Sequence, residues 1–269
     1  MNDPDFTPAD DTAQLLWGLW QAGRVIDALP ASCRPATRAE GYAAQARLPG
    51  VAGRDVLGWK IAATSAAGQR HIAVDGPLAG RLLSGQVGGD GAVVSLAGNR
   101  MRVAEPEFCF RMGRALAPRA RAYEVDEVLD AVEALHPAIE VPDSRYADFT
   151  RAGEAQLLAD DACAWRFVLG PPAAATWRAV DLASHAVRGH VGRYGGQAWQ
   201  RDGTGANVLG DPRVALAWLA NELSSLGIGL AAGQLVTTGT CMVPLEVAPG
   251  VEVIADFGSL GRVTARFTD

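Results

Sequence analysis

From residue 56 to the C-terminus the sequence is written in short apolar runs cut by glycine and proline, a pattern that strands and loops satisfy and long helices do not. The first run, LGWKIA (57–62), carries Lys60, and a strand over 103–110 (VAEPEFCF) follows a turn at Asp75-Gly76-Pro77 and a glycine-rich loop over 85–91. Two stretches read as helices instead. Residues 124–135 place Val125, Val128, Leu129, Val132 and Leu135 on one face before His136-Pro137 stops them, and Asp211-Pro212 caps a helix that Gly227 closes. Strands are expected over 138–145, 165–169, 234–238, 251–257 and 262–267, with a hairpin of 187–191 and 197–200 about Gly195-Gly196. Ahead of this body, residues 12–29 show helical spacing. The capping box Thr37-Arg38-Ala39-Glu40 then opens a second helix, with Tyr42 and Gln45 on its surface and Pro49-Gly50 at its end. The chain is therefore α+β, with a helical N-terminal region over 1–55 and a mixed-β domain over 56–269.

Charge and cysteine usage exclude several classes of partner. The net charge is −6 with no basic stripe, so a phosphate backbone is not attracted, and no nucleic-acid partner is expected. No apolar run is long enough to span a membrane as a helix, and the acidic start MNDPDFTPADD is unlike a secretory signal. The four cysteines form no C-x-x-C pair, which points to a reducing cytoplasm rather than a disulfide scaffold or a zinc site. Of 24 Lys plus Arg, Lys60 is the single lysine. Between Trp59 and Ile61 it marks a place where an ammonium that can lose its proton serves better than a guanidinium, unless it is one surviving surface lysine.

In an extended strand side chains alternate faces, so Glu105 and Glu107 share one face beside Phe108 and Phe110. Either this is an edge strand with two solvated carboxylates, or the pair is neutralised by a cation or a proton. Glu140, between Ile139 and Val141, faces away from those two if they pack in the core, and adds a third carboxylate. Three oxygen ligands leave about three sites of an octahedron for water or substrate, the usual way of holding Mg²⁺ in a catalytic site. Asp143 and Arg145 form either a local ion pair or support for the site. His71 has no acidic or cysteine partner at ligand spacing, which favours a surface or supporting role over metal ligation.

Phosphate-binding, dinucleotide-binding, zinc-protease and serine-hydrolase signatures are absent. What remains is an oxygen-ligated metal plus one amine, which suits chelation of a 2-oxo acid and stabilisation of its enolate. The strings GWKIAATS (58–65), VDGPLAG (74–80), RMRVAEPEFCFRMGR (100–114), AIEVPDSRY (138–146), LADDACAWRFVLG (158–170), GANVLGDP (205–212) and TTGTCMVPLEVAPGVEVIADFGSLGRVTARF (237–267) resemble the 2-keto-4-pentenoate hydratase and 2-oxo-3-hexenedioate decarboxylase branch of the fumarylacetoacetate hydrolase superfamily. The resemblance runs in order from about residue 37 to the end. It implies the mixed β-sheet core of the fumarylacetoacetate hydrolase C-terminal domain, Mg²⁺ or Mn²⁺ held by Glu105, Glu107 and Glu140, and Lys60 beside the metal. It also implies a small 2-oxo acid substrate, homo-oligomers, and Thr64, Ser65, Asp75, Cys163, Arg166 and Thr240 as substrate contacts.

Two departures bear on the reaction. Hydratases of this family tend to carry an acidic residue where this chain has Leu78, and D-N-A-S-S-G-G where it has DDACAWR (160–166), so the pocket is expected to be reshaped. Leu78 and Asp143-Ser144-Arg145-Tyr146 resemble the decarboxylases; Met242-Val243-Pro244 and Ala255-Asp256-Phe257-Gly258 resemble the hydratases. Hydration of a 2-hydroxy-2,4-dienoate is the leading expectation. The alternatives are decarboxylation of a 2-oxo-3-enedioate, hydrolytic C–C cleavage of an acylpyruvate, and a catalytically weak partner subunit.

Overall fold

The structure is a computed structural model that describes residues 7–193 and 198–269. Helices α1 (Pro8–Ala22) and α2 (Arg38–Ala52) lead into β1 (Val56–Ala62), α3 (Ala66–His71), β2 (Leu78–Leu83), β3 (Val87–Gly89), β4 (Ala92–Ser95) and the long β5 (Val103–Met112). Then come α4 (Val125–Leu129), β6 (Val132–Val141), α5 (Glu154–Ala159), β7 (Arg166–Leu169), β8 (Ala186–Arg193) and β9 (Trp199–Thr204). The chain finishes with α6 (Pro212–Ser225), β10 (Leu235–Thr240), β11 (Leu245–Glu246), β12 (Val251–Asp256) and β13 (Arg262–Thr268).

Seven strands form a mixed sheet in the order β2-β1-β10-β5-β6-β7-β3, with β11 paired to β5 beside it; β4-β13-β12-β8-β9 form a second sheet. The sheets share one core. Val253, Ala255, Val263 and Phe267 alternate inward along β12 and β13, and Phe108 of β5 meets Phe257 edge-to-face at 5.0 Å. Leu16, Leu19 and Tyr42 of the N-terminal helices belong to the same contiguous core as Ile61, Leu78 and Leu158.

Several expectations change where tertiary pairing outweighs local pattern. Residues 124–135 form only the short α4 before Val132 enters β6. Their spacing of three and four fits a helix, but β5 offers a strand partner along its length, from Glu105 opposite Glu140 to Met112 opposite Val132, and that pairing outweighs the local pattern. Pro137 lies within β6 opposite Phe108 instead of ending a helix. α1 stops at Gly23, whose φ of +61° forms a left-handed cap, and Ile26 pairs with Tyr146 as an isolated bridge. The Thr37–Glu40 capping box is present, but Pro49 lies inside the last turn of α2, which runs on to Gly53. Tyr42 and Gln45 are buried, not on the surface. Gln45 Nε2 donates to Ala79 O at 2.8 Å and Leu158 O at 2.9 Å, fastening α2 to β2 and α5. The glycine-rich loop contains β3, parallel to β7. β8 and β9 pair as a hairpin, and the turn expected at Gly195-Gly196 lies outside the described residues.

Candidate metal and substrate site

The β5–β6 register sets Glu105 directly across from Glu140, with Glu107 two residues along on the same face. The three carboxylates converge, each offering an oxygen within 4.8 Å of the others, and this is the one potential metal-ligating set among the described residues. Glu107 and Glu140 are buried, while Glu105 is partly open to a cavity. One oxygen of Glu107 is held by the neighbouring strand β10. Its register slips between Thr237 and Thr240, so that Thr237 Oγ1 donates to Glu107 Oε2 and the Gly239 N–H reaches the same oxygen at 2.9 Å. Gly239 is irreplaceable there: its φ is +94°, and a Cβ would lie 2.2 Å from Thr64 Oγ1.

Lys60 comes in from β1, which runs parallel to β10. Its Nζ lies 3.0 Å from Glu140 Oε1 and donates to Ala162 O at 3.0 Å. That carbonyl is presented by three successive non-glycine residues with positive φ, Asp161 at 55°, Ala162 at 50° and Cys163 at 63°. Left-handed L-residues cost about 1–2 kcal/mol each, so such a run persists only where its surroundings enforce it, and strain of this kind gathers at functional sites. Here Asp161 Oδ1 accepts the Arg81 N–H at 2.6 Å, and Gly80 leaves room for Asp161 O, which a Cβ would approach to 2.3 Å.

The electrostatics of this cluster are those of a site short of positive charge. Burial, reinforced by Glu140, pushes Glu107 up to about 8; burial and Glu140 likewise hold Glu105 well above the carboxylate range, and burial raises Glu140. For Lys60, burial opposes the charge, but the Glu140, Glu105 and Glu107 carboxylates outweigh it and raise its pKa above the ordinary lysine range. The expected loss of the ammonium proton is therefore not met; the neighbouring carboxylates win over desolvation. Glu107 Oε1 and Glu140 Oε2 have no hydrogen-bond partner. Buried, unpartnered carboxylate oxygens around one point fit a hard divalent cation such as Mg²⁺ or Mn²⁺, with Glu105, Glu107 and Glu140 as the residues that would hold it.

A cavity of about 550 Å³ opens above the cluster, with Lys60 and Glu105 in its lining. Of the expected substrate contacts, Thr64, Ser65, Cys163 and Thr240 line it. Ser65 also caps α3, its Oγ accepting the Gly68 N–H at 3.0 Å, and Thr240 Oγ1 donates to Met242 O at 2.9 Å. Asp75 and Arg166 do not line it. Asp75 is exposed in the bend before β2, and Arg166 stacks on Trp20 and Trp165, its Nη1 donating to Trp165 O at 3.2 Å on another face of the molecule. Arg145 and Asp143 do not pair with each other. Arg145 is buried against Asp160, and Asp143 Oδ1 accepts the backbone N–H groups of Arg100 at 2.9 Å and Met101 at 3.2 Å. His71 lines the cavity from an exposed position, edge-on to Phe149, and is not part of the carboxylate cluster. The wall residues Phe149 and Leu157 lie outside the matched strings and carry no sequence signal that separates them from ordinary core or loop positions; Met101 and Asn207 lie within matched strings. Thr237 and Gly239 do so too, within TTGT (237–240).

No protein-family model matches the chain. It is 31% identical to the 2-keto-4-pentenoate hydratase of Paraburkholderia xenovorans (strain LB400), covering 96% of this chain and 94% of that one. It is 32% identical to the 4-oxalocrotonate decarboxylase of Pseudomonas sp. (strain CF600) over 80% of this chain and 78% of that one. Among solved structures, 4-oxalocrotonate decarboxylase from Pseudomonas putida G7, complexed with magnesium and adipate, superposes with a TM-score of 0.82 at 27% identity, covering 96% of this chain and 97% of that one. Fumarylpyruvate hydrolase from Pseudomonas aeruginosa shares the fold at a TM-score of 0.56 and 12% identity. The chain belongs to the 2-keto-4-pentenoate hydratase and 4-oxalocrotonate decarboxylase branch of the fumarylacetoacetate hydrolase superfamily.

Proposed function

We propose that this protein is a divalent-metal-dependent hydro-lyase that hydrates a small 2-hydroxy-2,4-dienoic acid or its 2-oxo tautomer, with Glu105, Glu107 and Glu140 as metal ligands and Lys60 as proton carrier. The observation that carries this reading is the meeting of three carboxylates with the chain's single lysine at the base of one cavity, where Lys60 and Glu105 face the open space. A bound Mg²⁺ or Mn²⁺ supplies stabilisation of the negative charge that develops on the 2-oxo oxygen.

The chain's own residues do the rest. Lys60 Nζ, held between Glu140 and Ala162 O, keeps a proton within the site and relays it as the 2-hydroxyl proton moves to the terminal carbon. Water then adds across the remaining carbon–carbon double bond, so overall one water is consumed. Thr64 and Thr240 offer hydroxyls beside the floor, and the apolar walls limit competing solvent. Homo-oligomeric assembly in a reducing cytoplasm belongs to the same reading; the four cysteines are free and buried, and no described helix is long and apolar enough to cross a membrane.

A second reading, decarboxylation of a 2-oxo-3-enedioate, is favoured by Leu78 on the cavity wall and by the structural likeness to the Pseudomonas putida G7 decarboxylase. Incubating the Mg²⁺-loaded protein with 2-hydroxypenta-2,4-dienoate and with 2-oxo-3-hexenedioate, and following diene absorbance against CO₂ release, separates the two. Hydration without CO₂ is the expected result. CO₂ release alone overturns hydration in favour of decarboxylation, and no turnover of either substrate overturns both.

A further inference from the structure

Apart from the metal site, two guanidiniums share a second cavity without an acid to pair with. This cavity, of about 610 Å³, lies between the C-terminal end of α1, the Ala97-Gly98 turn, residues 143–145 and the start of β7. Arg54, just past α2, and Arg166, the first residue of β7, both line it. Each is held by two indoles. Arg54 Cζ lies 5.0 Å from the ring of Trp17 and 5.3 Å from that of Trp20; Arg166 Cζ lies 5.3 Å from Trp20 and 4.9 Å from Trp165. Both centres sit equally far from one ring, so they are at most twice that distance apart. Neither forms an ion pair among the described residues, and Arg54 Nη1, beside Gly85, is buried without a hydrogen-bond partner. Burial, then the Arg54 charge, lower the pKa of Arg166, as expected of like charges left near each other.

Capping of α1 does not account for the pair, because Leu19 O and Trp20 O already accept the N–H groups of Gly23 and Arg24. Nor do the other charges around the cavity. Arg145 is spent on Asp160, Asp143 Oδ1 accepts the backbone N–H groups of Arg100 and Met101, and the exposed Arg24 adds a third cation. The result is a positive pocket on a chain whose net charge is −6. Lying over an indole engages the face of a guanidinium and leaves its in-plane N–H fork free, which is the part that grips a carboxylate in two places. Arg166 gives only Nη1 to the protein, at 3.2 Å from Trp165 O. Each fork is pinned by its own pair of rings, which opposes convergence of both on one small centre and suits a ligand with two separated charges. Trp165 and Arg166 fall in segment 160–166, where this chain departs from the hydratase pattern, so the pocket is a feature of this chain and not of the shared metal chemistry. We propose that it is a binding site for a small dicarboxylate, one carboxylate held by Arg54 and the other by Arg166.

The test is calorimetric titration of succinate into the full chain at low ionic strength, both Mg²⁺-loaded and metal-free. In both states one succinate is expected to bind per chain at this pocket, whereas butyrate, with the same number of carbons and one charge, binds about tenfold or more weakly. That comparison needs no variant, so it stands whether or not a substitution disturbs the fold. Arg54→Gln and Arg166→Gln, each first shown to keep the wild-type circular dichroism, are expected to weaken succinate by about tenfold or more. Raising the salt concentration should weaken it further, as for any ligand held by exposed charge. No binding at millimolar succinate overturns the proposal, as does equal binding of succinate and butyrate. A succinate event seen only with Mg²⁺ would place the ligand on the metal and overturn it, and so would full affinity in both arginine variants. Inorganic phosphate binding more tightly than succinate would overturn the assignment to a dicarboxylate.

Discussion

Replacing Lys60 by methionine keeps most of the side-chain volume and removes the one cation that faces Glu140. Both partners are buried, Lys60 at 2% and Glu140 at 1% exposure, and breaking such a pair from one side costs about 3–5 kcal/mol because the remaining charge is left uncompensated. For a chain of this size each kcal/mol moves Tm by about 2–4 °C, so metal-free Lys60→Met should melt roughly 6–20 °C below the wild type at pH 9. The loss should depend on protonation. Glu107 is pushed up to about 8 and its two neighbours are also raised, so at pH 6 the carboxylates hold protons and miss the ammonium less. A divalent ion supplies the missing charge, so saturating Mg²⁺ should recover most of the loss at pH 9. Differential scanning calorimetry with chelator and with Mg²⁺, at both pH values, reads all four conditions. An equal loss in every condition would mean that Lys60 acts by packing alone, and would refute the charge-balance argument.

Other expectations follow from the same geometry. Gly239→Ala forces a Cβ to 2.2 Å from Thr64 Oγ1 at a φ of +94°, and should lower stability by about 2–4 kcal/mol in urea titrations while weakening metal binding through Glu107. In the metal-free protein the raised carboxylates stabilise the fold below their unfolded value of 4.5, and that contribution is lost as pH rises through about 8; thermal melts under chelator should fall over this window, with Mg²⁺ reversing the trend. Metal binding must displace the same protons, so affinity should weaken from pH 8 to pH 6, and calorimetry in buffers of different ionisation enthalpy should show proton release on binding. Arg145→Met breaks the buried pair with Asp160 at the base of the left-handed turn, and should cost about 3–5 kcal/mol by chemical denaturation with no dependence on Mg²⁺.

The metal-site candidates were legible because their signal is local. Alternation along β5 put Glu105 and Glu107 on one face, the apolar neighbours of Glu140 turned it toward them, and the lone lysine stood out against 23 arginines. Strands β12 and β13 of the second sheet and helix α6 were legible for the same reason, through period-two alternation and an Asp-Pro cap, whereas β4 was not expected. What the sequence hid was set by distant partners. Residues 132–135 have helical spacing, but the ladder offered by β5 draws them into β6. Gln45 and Tyr42 look like surface residues of α2 until β2 and α5 are packed over them. Asp75 and Arg166 stand within matched strings, yet a bend and an aromatic stack carry them away from the cavity. The left-handed run 161–163 has no glycine to announce it, and depends on Arg81 and Gly80 two elements away.

The central claim is that Glu105, Glu107 and Glu140 form one divalent-metal site. It is tested most directly by titrating Mn²⁺ into chelator-treated protein and counting bound ions by electron paramagnetic resonance, for the wild type and for Glu107→Gln. The account predicts one Mn²⁺ per chain in the wild type, displaced by Mg²⁺, and a loss of affinity of about a hundredfold or more in the variant, since the remaining carboxylates lose one ligand and its charge. Unchanged binding in Glu107→Gln, or no stoichiometric binding in the wild type at pH 8, would contradict it.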